Sequence, residues 1–178
     1  PCVPVSVILN WISCAGWLCR HFWEYYLYTG DETLLREEIL PFMREAALFY
    51  LDYAVEDGDS IRLYPAVSPE NTPEGHTGVV AQNATMDFAI LKELLTNLLE
   101  GMTVTGLYAD DTDTFRALLG KIPPYMLNED GAVKEWMHPD IKDNYHHRHL
   151  SHIYPVFPGT EVTAHSQPAL FEAFKQAV

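Results

Sequence analysis

The chain has 178 residues, of which 48% are hydrophobic and 12% aromatic, and its formal net charge is −14. That apolar share builds a core and excludes a disordered segment. The acidic balance opposes a nucleic-acid backbone or an anionic membrane surface as partner, because both require basic patches, and no apolar run is long enough to span a bilayer.

Cys2, Cys14 and Cys19 make an odd count without zinc-ribbon or disulfide-framework spacing, so they read as free thiols. The chain opens on Pro1 rather than methionine, and Pro1 to Cys14 lacks the basic start of a signal peptide, so the sequence reads as a segment of a larger frame.

In chain order, Val3, Val5, Val7 and Ile8 suggest a strand or an irregular lead-in over Pro1 to Ser13. From Ala15 to Tyr28, Leu18, Phe22, Tyr25 and Tyr26 recur at helical spacing. Gly30 supplies a stop and Asp31 a cap for a second helix, about Glu32 to Val55, in which Pro41 predicts a kink or a broken first turn. The two helices form an αα-hairpin. A Pro-rich stretch from Asp59 to Gly78 follows, with Ser68-Pro69-Glu70-Asn71 at its centre, and its prolines argue for an ordered loop. Helical patterning returns from Thr85 to Glu100, punctuated by Gly101 and Gly106. Asp110 to Asp113 offer caps for a helix ending near Leu119, stopped by Pro123-Pro124. Asn128 to Gly131 reads as a turn between short extended pieces, and Thr163 as the cap of a last helix. The fold class is therefore all-α, built from repeated αα-hairpins with long loops at one end.

The chemistry concentrates between Asn144 and Gly159, where His146, His147, His149 and His152 fall within seven positions around Arg148. A metal reading uses His147, His149 and His152 as three ligands with water as the fourth. Against it, the spacing lacks the i, i+4 helical pair and Arg148 repels a cation. An acid–base reading needs two carboxyl groups, one to protonate a leaving oxygen and one to handle water. Glu70 is the donor candidate, because Pro69 fixes it in the loop and burial near Tyr64 would keep it protonated. Asp87, Glu135, Asp140 and Asp143 are candidate partners, and spacing selects none of them. Trp136 and Tyr145 lie in loops where an aromatic face can stack on a sugar, whereas Trp23 reads as core. Asn83-Ala84-Thr85 matches the N-glycosylation triplet, a weak signal.

Taken together, Gly16 to Tyr26, Tyr28-Thr29-Gly30-Asp31, Ser68-Pro69-Glu70-Asn71, Thr85-Met86-Asp87, Glu135-Trp136 and His147 to Tyr154 resemble glycoside hydrolase family 95, whose type activity is α-L-fucosidase on α-1,2-linked fucose. The motif resemblance runs from Ala15 to the end of the chain, and residues 1–14 are unmatched by it. It implies an (α/α)6 toroid, incomplete in this chain, and an inverting mechanism without metal or other cofactor. It places Glu70 as general acid and His147, Arg148, His149, His152, Trp136, Asn71 and Asp87 around the substrate, a fucosylated glycan. The family's water-activating aspartate falls beyond Val178 and its Asn-x-Asn motif upstream of Ala15, so the isolated chain is expected to be inactive. An extracellular or periplasmic location is implied by the resemblance alone. A non-catalytic helical module that binds carbohydrate or a protein is the alternative.

Overall fold

The computed structural model describes residues 6–178. They are helix-rich, with little sheet, as the all-α reading expects. Helix α1 spans Ser6–Asn10, which corrects the strand expectation there; the part of that expectation on residues 1–5 lies outside the described residues. The chain divides into two compact units. One holds Ser13–Ile61 and Ile90–Ile122; the other holds residues 6–12, Arg62–Ala89 and Pro123–Val178.

The first unit contains the hairpin. Helix α2 (Cys14–Thr29) ends on Gly30, whose left-handed φ of 66° lets its N–H reach the Tyr26 carbonyl. Asp31 then caps α3 (Glu32–Leu34) by accepting from Leu34 N–H at 3.0 Å. The disturbance expected at Pro41 takes the form of a wide π-type turn over Leu35–Ile39, running straight into α4 (Leu40–Tyr53). Proline has no N–H to offer the carbonyl four residues back, and the chain widens just before it, with Leu40 N–H bonding Leu35 O. A two-stranded hairpin, β1 (Val55–Asp57) and β2 (Ser60–Arg62), follows α4.

Helix α5 (Thr85–Thr105) is longer than the sequence suggested, because Gly101 does not stop it. A side chain there would sit 2.6 Å from Leu40 Cδ2 and 3.2 Å from the Trp23 ring, so this glycine lets two helices approach. The stop comes at Gly106, with a φ of 72°. A 3-10 turn (Ala109–Asp111) leads into α6 (Thr112–Gly120). Contrary to expectation Asp111 does not cap α6: its carboxylate accepts from Arg44 Nε at 2.6 Å, and that charge-assisted bond outcompetes a backbone amide. Trp23, Leu40, Met43, Tyr50, Leu91, Leu94 and Phe115 are buried. Tyr50 Oη donates to Ser13 Oγ at 2.8 Å. Cys14 and Cys19 are free, and burial pushes the Cys19 thiol up to about 12. The apolar residues that signalled α2 are not its core face. Gly16, Cys19 and Trp23 point inward, while Leu18, Phe22 and Tyr25 stay exposed, with Phe22 edge-on to Phe42 at 5.5 Å.

The second unit is mostly loop wrapped on two small cores. Ala66, Ala81, Ala84, Trp136 and Ile141 form one; Val133, Val162, Ala173 and Phe174 form the other, with Tyr125, Leu170 and Phe171 packed against it. The expected turn at Asn128 to Gly131 is present, closed by Gly131 N–H to Asn128 O at 3.0 Å, and Leu127 pairs with Val133 across it. The last helix, α7 (Pro168–Gln176), begins later than predicted. Thr163 instead caps its own turn, its Oγ1 accepting from Ser166 N–H at 3.0 Å. No described helix is long and apolar enough to cross a membrane.

Candidate active site

The Pro-rich loop is pinned at its base by a pair of backbone bonds between Ala66 and Ala81, at 2.9 and 2.8 Å. Further out, Asn71 N–H bonds Ser68 O at 2.7 Å and closes a turn with Pro69 and Glu70 at its centre. The turn then sorts the side chains. Ser68 and Asn71 are buried, and Glu70 projects outward with 47% of its side chain exposed.

The histidine stretch is lashed to this loop. Asn144 Nδ2 donates to Thr72 O at 3.1 Å and to Asn71 Oδ1 at 3.3 Å, and Asn71 Nδ2 returns a bond to Asn144 O at 3.0 Å. Ser151 Oγ donates to the Pro69 carbonyl. These ties bring Arg148 Nη2 to 2.6 Å from Glu70 Oε2, and His149 Nε2 to 3.5 Å from the same oxygen. His147 stands beside them, its ring centre 5.3 Å from that of His149 and its Nδ1 accepting from His149 N–H. Two stretches almost eighty positions apart thus meet at one carboxylate.

Beneath Glu70 lies a second carboxyl group, Glu135, 2% exposed. Its Oε1 accepts from Ser68 Oγ and its Oε2 from Asn71 Nδ2, both at 2.7 Å. Its own N–H donates to Asp143 Oδ1 at 2.8 Å, and Asp143 Oδ2 accepts from Asn128 Nδ2 at 2.8 Å. Burial drives the Glu135 pKa up to about 7; the bonds from Ser68 and Asn71 oppose the rise and Asp143 adds to it. His152, also buried, has its Nδ1 3.7 Å from Glu135 Oε2. Burial lowers its pKa to about 4, against the pull of Asp143. The contact is therefore between two neutral groups and not an ion pair.

A proton-counting consequence follows. With ordinary values of 4.5 and 6.5, the unfolded pair carries one proton between those pH values, on the histidine; the folded pair also carries one, on Glu135. Equal counts give no pH slope from the pair. Glu135→Gln leaves His152 alone, which binds a proton only when unfolded between pH about 4 and 6.5, so stability rises with pH relative to the wild type. His152→Gln leaves Glu135, which holds its proton when folded between pH 4.5 and about 7, so stability falls as pH rises. Urea unfolding across that range should show opposite slopes of at most about 1.4 kcal/mol per pH unit. Parallel curves for wild type and both variants would refute the assignment.

Several predicted site residues are placed differently from expectation. Glu70 and Tyr64 are exposed, and the buried carboxyl group is Glu135. Trp136 is 0% exposed, its ring filled around by Ala66, Ala81, Ala84 and Ile141, so it has no face to offer a sugar. Asn71, His152 and Asp87 are likewise buried beneath the surface, Asp87 in the first turn of α5, where a carboxylate suits the helix N-terminus. Tyr145 is half-exposed, its hydroxyl accepting from Asn128 and donating to Asp130 at 3.2 Å. An open hollow of about 800 Å³ is lined by Asn128, Asp130, Lys134, Asn144, Tyr145 and His146. Among the described residues no three His, Cys, Asp or Glu side chains converge where a metal ion could sit. Asn83 is held by its side chain, which accepts from Leu63 N–H at 2.9 Å and donates to Met137 O at 3.2 Å, with Thr85 buried; the glycosylation triplet is thus part of the fold. The role of Glu135 was not singled out from sequence, although its place between Val133 and Trp136 was a signal of burial.

Residues 3–178 match the model of the glycosyl hydrolase family 95 catalytic domain, which starts upstream of the motif resemblance at Ala15. The chain belongs to glycosyl hydrolase family 95. Among its relatives, alpha-L-fucosidase 2 of Arabidopsis thaliana is 32% identical over 169 residues, 92% of this chain and 20% of that protein. Probable alpha-fucosidase A of Aspergillus niger is 31% identical over 151 residues, 81% of this chain and 19% of that protein. The chain thus spans about a fifth of the length of these relatives.

Proposed function

We propose that this chain carries the acid-bearing wall of a glycosidase site that removes terminal α-L-fucosyl residues, α-1,2-linked, with inversion, inside an (α/α)6 toroid completed by further chain. The observation that supports this reading is the exposed Glu70 carboxylate, held between Arg148 and His149 by loops tied to each other. Glu70 takes up a proton from solvent once Arg148 turns to the sugar, and delivers that proton to the glycosidic oxygen. Arg148 is 72% exposed, so its guanidinium is free to leave Glu70 for sugar hydroxyls when substrate arrives, and His147 and His149 supply further hydrogen bonds. The water-activating carboxylate comes from outside these residues, so the 178-residue chain alone turns nothing over.

The test uses the complete catalytic domain carrying this segment and an α-1,2-fucosyl oligosaccharide, with proton NMR following the first-formed sugar. β-L-Fucose appearing first is the expected result. The α anomer first, or no release of fucose, overturns the reading.

A further inference from the structure

Glu70 sits at the centre of a four-residue turn, and both ends of that turn are held by the same side chain. Ser68 Oγ and Asn71 Nδ2 each donate to a different oxygen of Glu135 at 2.7 Å. The turn's own bond, Asn71 N–H to Ser68 O at 2.7 Å, completes a closed ring of contacts. Glu135 cannot reach a substrate, because it is 2% exposed. It is itself fixed at both backbone ends: its N–H donates to Asp143 Oδ1 and its carbonyl accepts from Thr85 N–H at 3.0 Å. The next residue, Trp136, is locked in the alanine-lined core. We infer that Glu135 is a positioning residue for Glu70: its buried carboxyl group grips both ends of the turn and fixes where the exposed carboxyl group stands. The inference rests on the reading of Glu70 as proton donor.

A rigid mount matters because proton transfer falls off steeply when the donor moves by about 1 Å, on the order of 10²-fold in rate. Two acceptor oxygens are needed for two donors. Leucine at 135 keeps most of the volume and removes both oxygens, so both ends of the turn are released, whereas glutamine mimics the protonated carboxyl group and its amide N–H₂ can donate to Ser68 Oγ. Ser68→Ala releases one end alone with almost no change in volume.

The experiment compares two substrates in the complete catalytic domain: an α-1,2-fucosyl oligosaccharide, whose leaving oxygen needs a proton, and a nitrophenyl α-L-fucoside, whose leaving group departs without one. Glu135→Leu and Ser68→Ala should lower kcat on the oligosaccharide by on the order of 10²-fold, with KM little changed, and should lower kcat on the aryl fucoside far less. Glu70→Gln is run beside them. If Glu70→Gln shows the leaving-group dependence and both other variants lose activity evenly on the two substrates, or not at all, the positioning role is wrong and the acid assignment stands. If Glu70→Gln shows no such dependence, both readings fall. Should Glu135→Leu not fold, Ser68→Ala decides by the same criterion.

Discussion

Glu70→Gln should cut kcat on an α-1,2-fucosyl oligosaccharide by about 10³-fold while leaving KM close to its original value. Glutamine fills the same space and keeps a hydrogen-bond contact with Arg148 through its carbonyl oxygen, so sugar binding by His147, Arg148 and His149 persists. What it removes is the ionisable proton. The size of the loss depends on how badly the leaving oxygen needs that proton, which is why a nitrophenyl fucoside should lose much less. Steady-state kinetics on the two substrates separate this from a general disturbance of the loop. An equal loss on both, or a loss confined to KM, means that Glu70 binds sugar and does not donate a proton.

Trp136→Ala should destabilise the fold by about 3–5 kcal/mol, the usual result of emptying a large buried aromatic site. The ring is 0% exposed and seated among Ala66, Ala81, Ala84 and Ile141. Three alanines form a slot that has no longer side chain able to swing in, so the cavity stays open. The flanking backbone is anchored as well, through Met137 N–H to Asn83 O at 2.7 Å. Trp136→Phe should cost much less, since among the described residues the indole Nε1 has no hydrogen-bond acceptor to lose. Urea unfolding of both variants is the measurement. A sugar platform predicts the reverse: unchanged stability and a raised KM in the alanine variant.

What could be read from the sequence was local, and what could not was decided over long distances. Asp31 caps its helix because its short carboxylate needs only the amide three residues on. Asp111 has the same chemistry and the same kind of position, yet Arg44, sixty-seven residues away, claims it. Gly101 looks like any helix stop until Leu40 and Trp23 come in against it. The site followed the same division. The motif order drew Glu70 and the histidine stretch together through family resemblance, but no spacing rule could choose Glu135 from four candidate carboxylates. Its selection rests on Ser68 and Asn71 turning inward, which follows from the turn that turns Glu70 outward. Trp136 was read as exposed because it lies in a loop; Ala66, Ala81, Ala84 and Ile141 nevertheless close around it.

The outward side of α2 and α4 keeps Leu18, Phe22, Tyr25, Phe42 and Phe49 in contact with water. Such a surface favours association over exposure. Water is a poor neighbour for a run of rings spaced a helical turn apart, and any apolar surface of matching shape is a better one. When this section is produced by itself, the nearest such surface is another copy of it. Dilution, then, becomes a variable of its structure: the particle present at low concentration and the particle present at high concentration need not be the same one.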